Sequence, residues 1–341
     1  MTRRLVVDLA AVRPVWRIPR AQVAAIAAAL PGWDVIPVDA PANSDGDGGG
    51  GSPAAVAAAA GAEVYLGFGV PSGVQAAART ALRWAHTATA GVAPSLAALR
   101  GTGVTVTNSA GIHAEPMADW VLAAIAYFAR GFDVAIRAQA DARWDKDTLT
   151  DGSLALPELK DLRLGVFGLG GIGNAVARRG LALGMRVAGV RRRPEQGGPP
   201  GVSWVGGFDA LGRLASESDV LAITVPRTPE TVNAVGGGEL GRLPAGALVV
   251  NVSRGGILDE EALLSALESG RLRGAALDVF ATEPLPPEHP LWRHPRVLIT
   301  PHVSAVTARF WDREMALILE NLRRYLGGEP LANVVDLEAG Y

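Results

Sequence analysis

The segment "VFGLGGIGNAVA", Val166 to Ala177, holds Gly168, Gly170 and Gly173 in the spacing G-x-G-x-x-G, with Gly171 and Ile172 inside it. In a chain with 42 glycines that spacing alone says little. Its setting says more. The segment follows a short apolar run that reads as a strand, and it opens a stretch in which Ile172, Val176, Gly180 and Leu183 fall on one helical face. Each glycine then serves a separate purpose, namely a tight turn, close backbone approach to a pyrophosphate, or close packing of helix on strand. The first helical N–H groups and the positive end of the helix dipole face the anion. The competing reading is a tight strand-to-helix turn that binds nothing.

Moving outward, the next strand, "MRVAGV", ends at Val190, and "GVRRRPE" places Arg191, Arg192 and Arg193 directly after it. An acidic side chain at this point accepts hydrogen bonds from both ribose hydroxyls of NAD. An arginine only donates. Its planar fork suits the 2′-phosphate of NADP instead. NADP(H) is therefore the expected cofactor and NAD(H) the alternative, against the plainer reading of a solvated basic turn.

On both sides of this unit short apolar runs alternate with helical ones. Upstream they are "RLVVDLA", "RAQVAAIAAAL", "WDVIPVDA", "AEVYLGFG" and "GVTVTN"; downstream they are "VLAITV", "ALVVNV", "AALDV" and "RVLIT". Such alternation predicts α/β architecture with two parallel sheets and helices on their faces. "PANSDGDGGGGSP", 41–53, reads as a surface loop. The stretch 114–144, "AEPMADWVLAAIAYFARGFDVAIRAQADARW", reads as one long helix more apolar than a single buried face requires, which points to burial against another domain or subunit. The tail "RFWDREMALILENLRRYLGGEP" reads as a helix stopped by Gly327, Gly328 and Pro330.

The whole chain of 341 residues is 49% hydrophobic and 19% charged, with a formal net charge of −2. That is long enough for two domains with a sizeable core. It carries no electrostatic footprint for nucleic acid or for an anionic membrane, so the three arginines are a local feature. With no cysteine, disulfides and cysteine-ligated metals are excluded, and no metal site is expected. Asp8 interrupts an N-terminal apolar run already too short for a signal peptide, and the chain reads as a soluble cytoplasmic protein.

Three further segments lie at or near strand ends. "NVSRGG" carries Arg254, "LDVFATEPLP" carries Asp278 and Glu283, and "ITPHVSA" carries His302. The carboxyl ends of parallel strands are where ligands bind. Each residue has an ordinary role when taken singly: a capping arginine, a surface carboxylate, a satisfied core histidine. Together, one Arg, one Glu and one His could converge on a substrate beside the nicotinamide.

With these residues in place the chain resembles the D-isomer-specific 2-hydroxyacid dehydrogenases over almost its whole length. The segments that carry the resemblance are "VFGLGGIG", "SDVLAITVPRTPET", "ALVVNVSRGGILDEEALLSAL", "GAALDVFATEPLPPEHPLW" and "VLITPHVSA". It implies Arg254, Glu283 and His302 as the catalytic set of a 2-keto acid reduction. The physics agrees with those roles: reduction puts negative charge on the carbonyl oxygen, which a protonated His302 can neutralise. Free imidazole titrates at about 6.5, so a neighbouring carboxylate, Glu283, is needed to favour the imidazolium near neutrality. Arg254 can grip the substrate carboxylate with two parallel donors and polarise the carbonyl. The resemblance also implies Asp278 as acceptor for the nicotinamide carboxamide, and Pro226, Thr231, Val252 and Ser253 as further cofactor contacts. The loop "HTATAGVAPSL" would bind the substrate carboxylate through Ala90, Gly91 and Val92, although relatives often place an acidic residue or Asn where this chain has Ala93.

Two Rossmann-like or flavodoxin-like domains are implied, a discontinuous substrate domain (1–107 with 303–341) and a dinucleotide-binding domain (108–302). Members usually form dimers through the long-helix region. The expected activity is reduction of glyoxylate, hydroxypyruvate or a bulkier keto acid. A nucleotide-sensing co-repressor of the same fold and a phosphite-type dehydrogenase are the alternatives. Phe68 lines either the substrate pocket or the core. Trp144 lies where some glyoxylate and hydroxypyruvate reductases send an aromatic into the neighbouring subunit's site, and is read as packed in preference to that. His86, His113, His289 and His294, lacking carboxylate company, are read as structural.

Overall fold

The computed structural model describes residues 2–39, 52–92, 95 and 99–338. The glycine-rich stretch up to residue 51 and Ala93 lie outside the described residues. The chain divides into two compact units, Met1–His113 with Val306–Tyr341, and Ala114–Ala305. Both are α/β with parallel sheets, as the alternation of runs predicts.

In the first unit, β1 (Arg4–Asp8), β2 (Asp34–Pro37), β3 (Val64–Gly67), β4 (Trp84–Thr87) and β5 (Thr105–Asn108) pair in the order β2-β1-β3-β4-β5. The helices α1 (Arg20–Ala28), α2 (Pro53–Ala58) and α3 (Ser72–Ala78) connect them. Successive strand residues point to opposite faces. Accordingly, Leu5 and Val7 join one core cluster while Val6 and Tyr65 join the other. The C-terminal helix Phe310–Gly327 contributes Phe310, Trp311, Met315, Ile318 and Leu322 to the first of these clusters. It stops at Gly328, in the left-handed region at φ 67°, as read from the sequence. Strand β4 was not expected, because "WAHT" has no run of β-branched residues.

In the second unit the strands are β6 (Arg163–Phe167), β7 (Arg186–Val190), β8 (Val205–Gly206), β9 (Val220–Ile223), β10 (Ala247–Asn251), β11 (Leu272–Leu277) and β12 (Val297–Ile299). They form one parallel sheet in the order β12-β11-β10-β9-β6-β7-β8. The chain runs outward from β6 to β8 and then crosses back to β9. This leaves a topological switch, and hence a crevice, at the carboxyl ends of β6 and β9.

The long-helix expectation is corrected here. It forms two helices, α4 (Ala114–Ala129) and α5 (Phe132–Ala140), broken at Gly131 with φ 68°. A Cβ at Gly131 would come within 2.8 Å of the Leu149 side chain, so the break is a close approach that glycine alone allows. Much of the surplus apolar surface is absorbed inside the unit. Val121, Ile125 and Phe128 of α4 are buried in the same cluster as Val176 of α6 (Gly171–Ala182) and Val250 of β10. Each such fully buried side chain stabilises the fold by about 1.5–3 kcal/mol. α5 is tied to β11 by Arg273, whose guanidinium donates to both oxygens of the buried Asp133 at 2.9 and 2.7 Å. Phe132 and Ile136, one helical turn apart, each remain 52% exposed. Leu183 lies past the end of α6 and is exposed, so the buried stripe of that helix is Gly173, Val176 and Gly180. Among the described residues no helix is long and apolar enough to cross a membrane.

Candidate active site

Because every strand of the second unit runs the same way, the loops after β6, β7, β9, β10, β11 and β12 share one edge. The first carries the glycine turn. Gly168 has φ 111°, and a Cβ there would sit 2.7 Å from the Val225 nitrogen, so the loops after β6 and β9 abut. A Cβ at Gly173 would lie 2.0 Å from the Gly168 carbonyl, which makes any other residue impossible without moving the turn. Gly170 caps α6 without a side-chain hydrogen bond, and a Cβ there would meet nothing within 4 Å. The amides of Gly171, Ile172 and Gly173 donate to no described acceptor. Open backbone at Gly170, orphan amides and the positive end of a three-turn helix fit a dinucleotide pyrophosphate.

The turn is tied to the next strand, since Gly168 N donates to Val190 O at 2.8 Å. Arg191 follows and is partly buried, while Arg192 and Arg193 are exposed. After β9, the buried Thr231 hydroxyl donates to Pro226 O at 2.7 Å and accepts from Thr228 N at 2.7 Å, closing that loop on itself. After β10, Val252 and Ser253 are buried, and the Ser253 hydroxyl donates to Asn251 Oδ1 at 2.8 Å.

Arg254, Glu283 and His302 come together. His302 Nδ1 lies 2.8 Å from Glu283 Oε2, and the other carboxylate oxygen accepts from Phe280 N at 2.9 Å. Burial by itself pushes the Glu283 carboxyl up. The His302 and Phe280 hydrogen bonds and the charges of His302 and Arg254 outweigh that, and the net shift is downward. Arg254 anchors one Nη on the Ser253 carbonyl at 2.7 Å. More than a third of its surface stays open, yet neighbouring protein crowds the guanidinium; that desolvation lowers its pKa, with Glu283 acting in the opposite sense. His302 Nε2 meets no described partner, and the side chain is 46% exposed. The site therefore presents one ring nitrogen backed by an anion, near a cation of fork geometry. Among the described residues no group of three His, Asp or Glu could hold a metal ion.

The backbone of His302 is itself unusual. Its φ of 54° lies in the left-handed region, which costs a non-glycine residue energy unless its surroundings hold it there. Asp278 does the holding. Its carbonyl accepts from His302 N at 2.8 Å, and its fully buried carboxylate accepts from Thr300 Oγ1, from Val303 N at 2.8 Å and from Ser304 N at 2.9 Å. Sequence reading places Asp278 on the cofactor side, with no hint of this grip on the turn.

In the first unit, the loop after β4 has a one-sided pattern. Thr89 O accepts from Ser109 N at 3.0 Å, Ala90 O from Asn108 Nδ2 at 2.9 Å, and Gly91 O from the Thr89 hydroxyl at 2.7 Å. Among the described residues, none accepts from the amides of Ala90, Gly91 or Val92. A loop with tethered carbonyls and open N–H groups is suited to an anion. Phe68 is buried in the core cluster with Leu9 and Leu66. Two other expectations are overturned. Trp144 is 97% exposed, so no core of this chain packs it. His86 and His289 do have acidic company: His86 Nε2 lies 2.8 Å from Glu314, brought from 228 residues away by the C-terminal helix, and His289 Nε2 lies 3.7 Å from Glu260.

Residues 122–304 match the family model described as D-isomer specific 2-hydroxyacid dehydrogenase, NAD binding domain. The chain is 35% identical over 229 residues to the glyoxylate/hydroxypyruvate reductase A of Escherichia fergusonii, covering 67% of this chain and 69% of the relative. Among solved structures it is similar to a D-isomer specific 2-hydroxyacid dehydrogenase from Xanthobacter autotrophicus Py2 in complex with NADPH and MES. That match has 32% identity and a TM-score of 0.78 and covers 100% of both chains. An NADPH-dependent glyoxylate/hydroxypyruvate reductase from Sinorhizobium meliloti in complex with NADP and sulfate matches at 26% identity and a TM-score of 0.76, also over 100% of both chains.

Proposed function

The chain belongs to the D-isomer specific 2-hydroxyacid dehydrogenases, a family of NAD(P)-dependent oxidoreductases, and from that membership we propose that it reduces a small 2-keto acid to the D-2-hydroxy acid with NADPH. The observation that carries the reading is the 2.8 Å contact between His302 Nδ1 and Glu283, which leaves Nε2 for a substrate. The reduced nicotinamide, when bound, supplies the hydride. As charge develops on the carbonyl oxygen, the proton on His302 Nε2 passes to it and leaves a neutral ring. Arg254 binds the substrate carboxylate and draws charge toward the carbonyl oxygen. Glu283, in contact with His302 Nδ1, fixes which ring nitrogen faces the substrate.

Gly168, Gly170, Gly171, Ile172 and Gly173 would hold the pyrophosphate, and Arg191, Arg192 and Arg193 the 2′-phosphate. Pro226, Thr231, Val252, Ser253 and Asp278 are proposed as further residues on the cofactor side. The amides of Ala90, Gly91 and Val92 are proposed as a further element for the substrate carboxylate. A homodimer is part of the same reading, with the exposed Phe132 and Ile136 as apolar residues for its face.

The testing experiment is steady-state oxidation of NADPH against glyoxylate, hydroxypyruvate and bulkier 2-keto acids, with phosphite and NADP in the reverse sense. Turnover with keto acids is expected. Tight NADPH binding with no turnover of any acid would make the chain a nucleotide sensor. Two variants probe the details. Arg191→Asp with Arg192→Ser should raise the KM for NADPH by roughly ten- to hundredfold and that for NADH far less, since charge-assisted hydrogen bonds are lost only with the phosphate; equal effects would remove the phosphate from the argument. Glu283→Gln keeps the side-chain length but offers His302 Nδ1 a neutral amide in place of the carboxylate that holds the ring. The kcat for keto acids should fall by roughly ten- to hundredfold with the KM for NADPH unchanged; an unaltered kcat would remove Glu283 from the site.

A further inference from the structure

Arg191 does not stand alone at the end of β7. One Nη donates to the carbonyl of Gly197 at 2.8 Å and the other to the side-chain oxygen of Gln196. Its backbone N–H is held by Gly206 O at 2.9 Å, and the preceding Val190 carbonyl is held by the glycine turn. The acceptors come from one small structure. Pro194–Gln196 forms a single tight helical turn, closed by Gly197 N donating to Pro194 O at 2.9 Å. Gly197 lies at φ 63°, so glycine is needed there to turn its carbonyl back. A guanidinium has five N–H donors. Two are engaged by this turn, and no described acceptor takes the other three.

We propose that Gln196 is a specificity-determining positioning residue: with the Gly197 carbonyl it holds the Arg191 guanidinium in one posture before any ligand arrives, leaving three donors for a phosphate on the 2′-oxygen of an adenosine. Arginine carries several rotatable bonds, and freezing them at the moment of binding weakens affinity. An arginine already clamped avoids that loss. The clamp also explains why the first arginine of the run is partly buried while its two neighbours are exposed. This inference rests on the NADP reading of the arginines.

The test separates the two ideas and needs no catalysis. Titration calorimetry of the full chain with adenosine 2′,5′-bisphosphate, and with AMP as the probe lacking the 2′-phosphate, gives a ratio of dissociation constants. Gln196→Met, which keeps the length and removes the acceptor, should weaken the bisphosphate about three- to tenfold and leave AMP unchanged. In an Arg191→Ala background the same change should do nothing more, because its effect passes through the arginine. The KM for NADPH should rise in parallel with kcat unaltered. A Gln196→Met effect that persists without Arg191, or that falls equally on both probes, overturns the positioning role; so does no effect at all. If Arg191→Ala itself leaves the preference for the bisphosphate intact, the 2′-phosphate reading fails, and the inference with it.

Discussion

An Arg254→Ala variant loses roughly two to three orders of magnitude in kcat/KM for every 2-keto acid, the cost seen when one preorganised donor at a developing oxyanion is removed. The loss follows from what the side chain does before substrate arrives. Its guanidinium is crowded by protein, close enough to Glu283 for each to shift the other, and fastened at one nitrogen to the Ser253 carbonyl. A cation held that way gives up little entropy on gripping a carboxylate, and its interaction is weakly screened. Arg254→Lys keeps the charge without the fork and should recover only part of the loss. NADPH affinity, read by fluorescence titration, should change less than about twofold, because the glycine turn and the arginines after β7 are separate groups. Retention of more than about a tenth of the activity by the alanine variant would remove Arg254 from the chemistry.

The second large effect is on stability and lies in the first unit. His86→Leu should destabilise the protein by about 3–5 kcal/mol, measured as a lower urea midpoint. His86 and Glu314 are both wholly buried and 2.8 Å apart. Trp84 Nε1 donates to Thr107 Oγ1 at 2.9 Å, and that hydroxyl lies 2.8 Å from His86 Nδ1. It can donate onward, leaving the Nε2 hydrogen for Glu314. The Ser109 hydroxyl donates to the same Glu314 oxygen at 3.1 Å, while the second carboxylate oxygen is buried without a partner among the described residues. Removing the histidine strands that acid in an apolar setting. Replacing both partners, His86→Leu with Glu314→Leu, should recover much of the loss, since an apolar pair of similar volume tolerates burial far better. A single variant within about 1 kcal/mol of the parent, or a double variant no better than the single, would show that the pair carries little of the fold.

Both predictions mark where sequence reading stops. The three catalytic candidates were legible because each sits in a segment whose neighbours announce a strand end, and parallel strands put their ends on one edge. Even so, only the folded chain shows His302 at 2.8 Å from Glu283 and its left-handed backbone held by Asp278. His86 was illegible for the opposite reason. Its strand, with polar His86 and Thr87, has no apolar alternation, and its partner comes from the far end of the chain.

By itself the sequence determined the architecture and the glycine turn, because those depend on local requirements. Apolar residues must recur with the period of the element that buries them, and a Cβ at Gly173 has no room whatever surrounds the turn. Tertiary structure alone decided the break at Gly131, the exposure of Trp144, the Gln196 clamp on Arg191 and the burial of the His86–Glu314 pair. Each depends on which distant or out-of-pattern atoms arrive nearby once the core has formed. That is settled by packing and the satisfaction of buried polar groups over the whole unit, for which no short stretch of residues carries a signature.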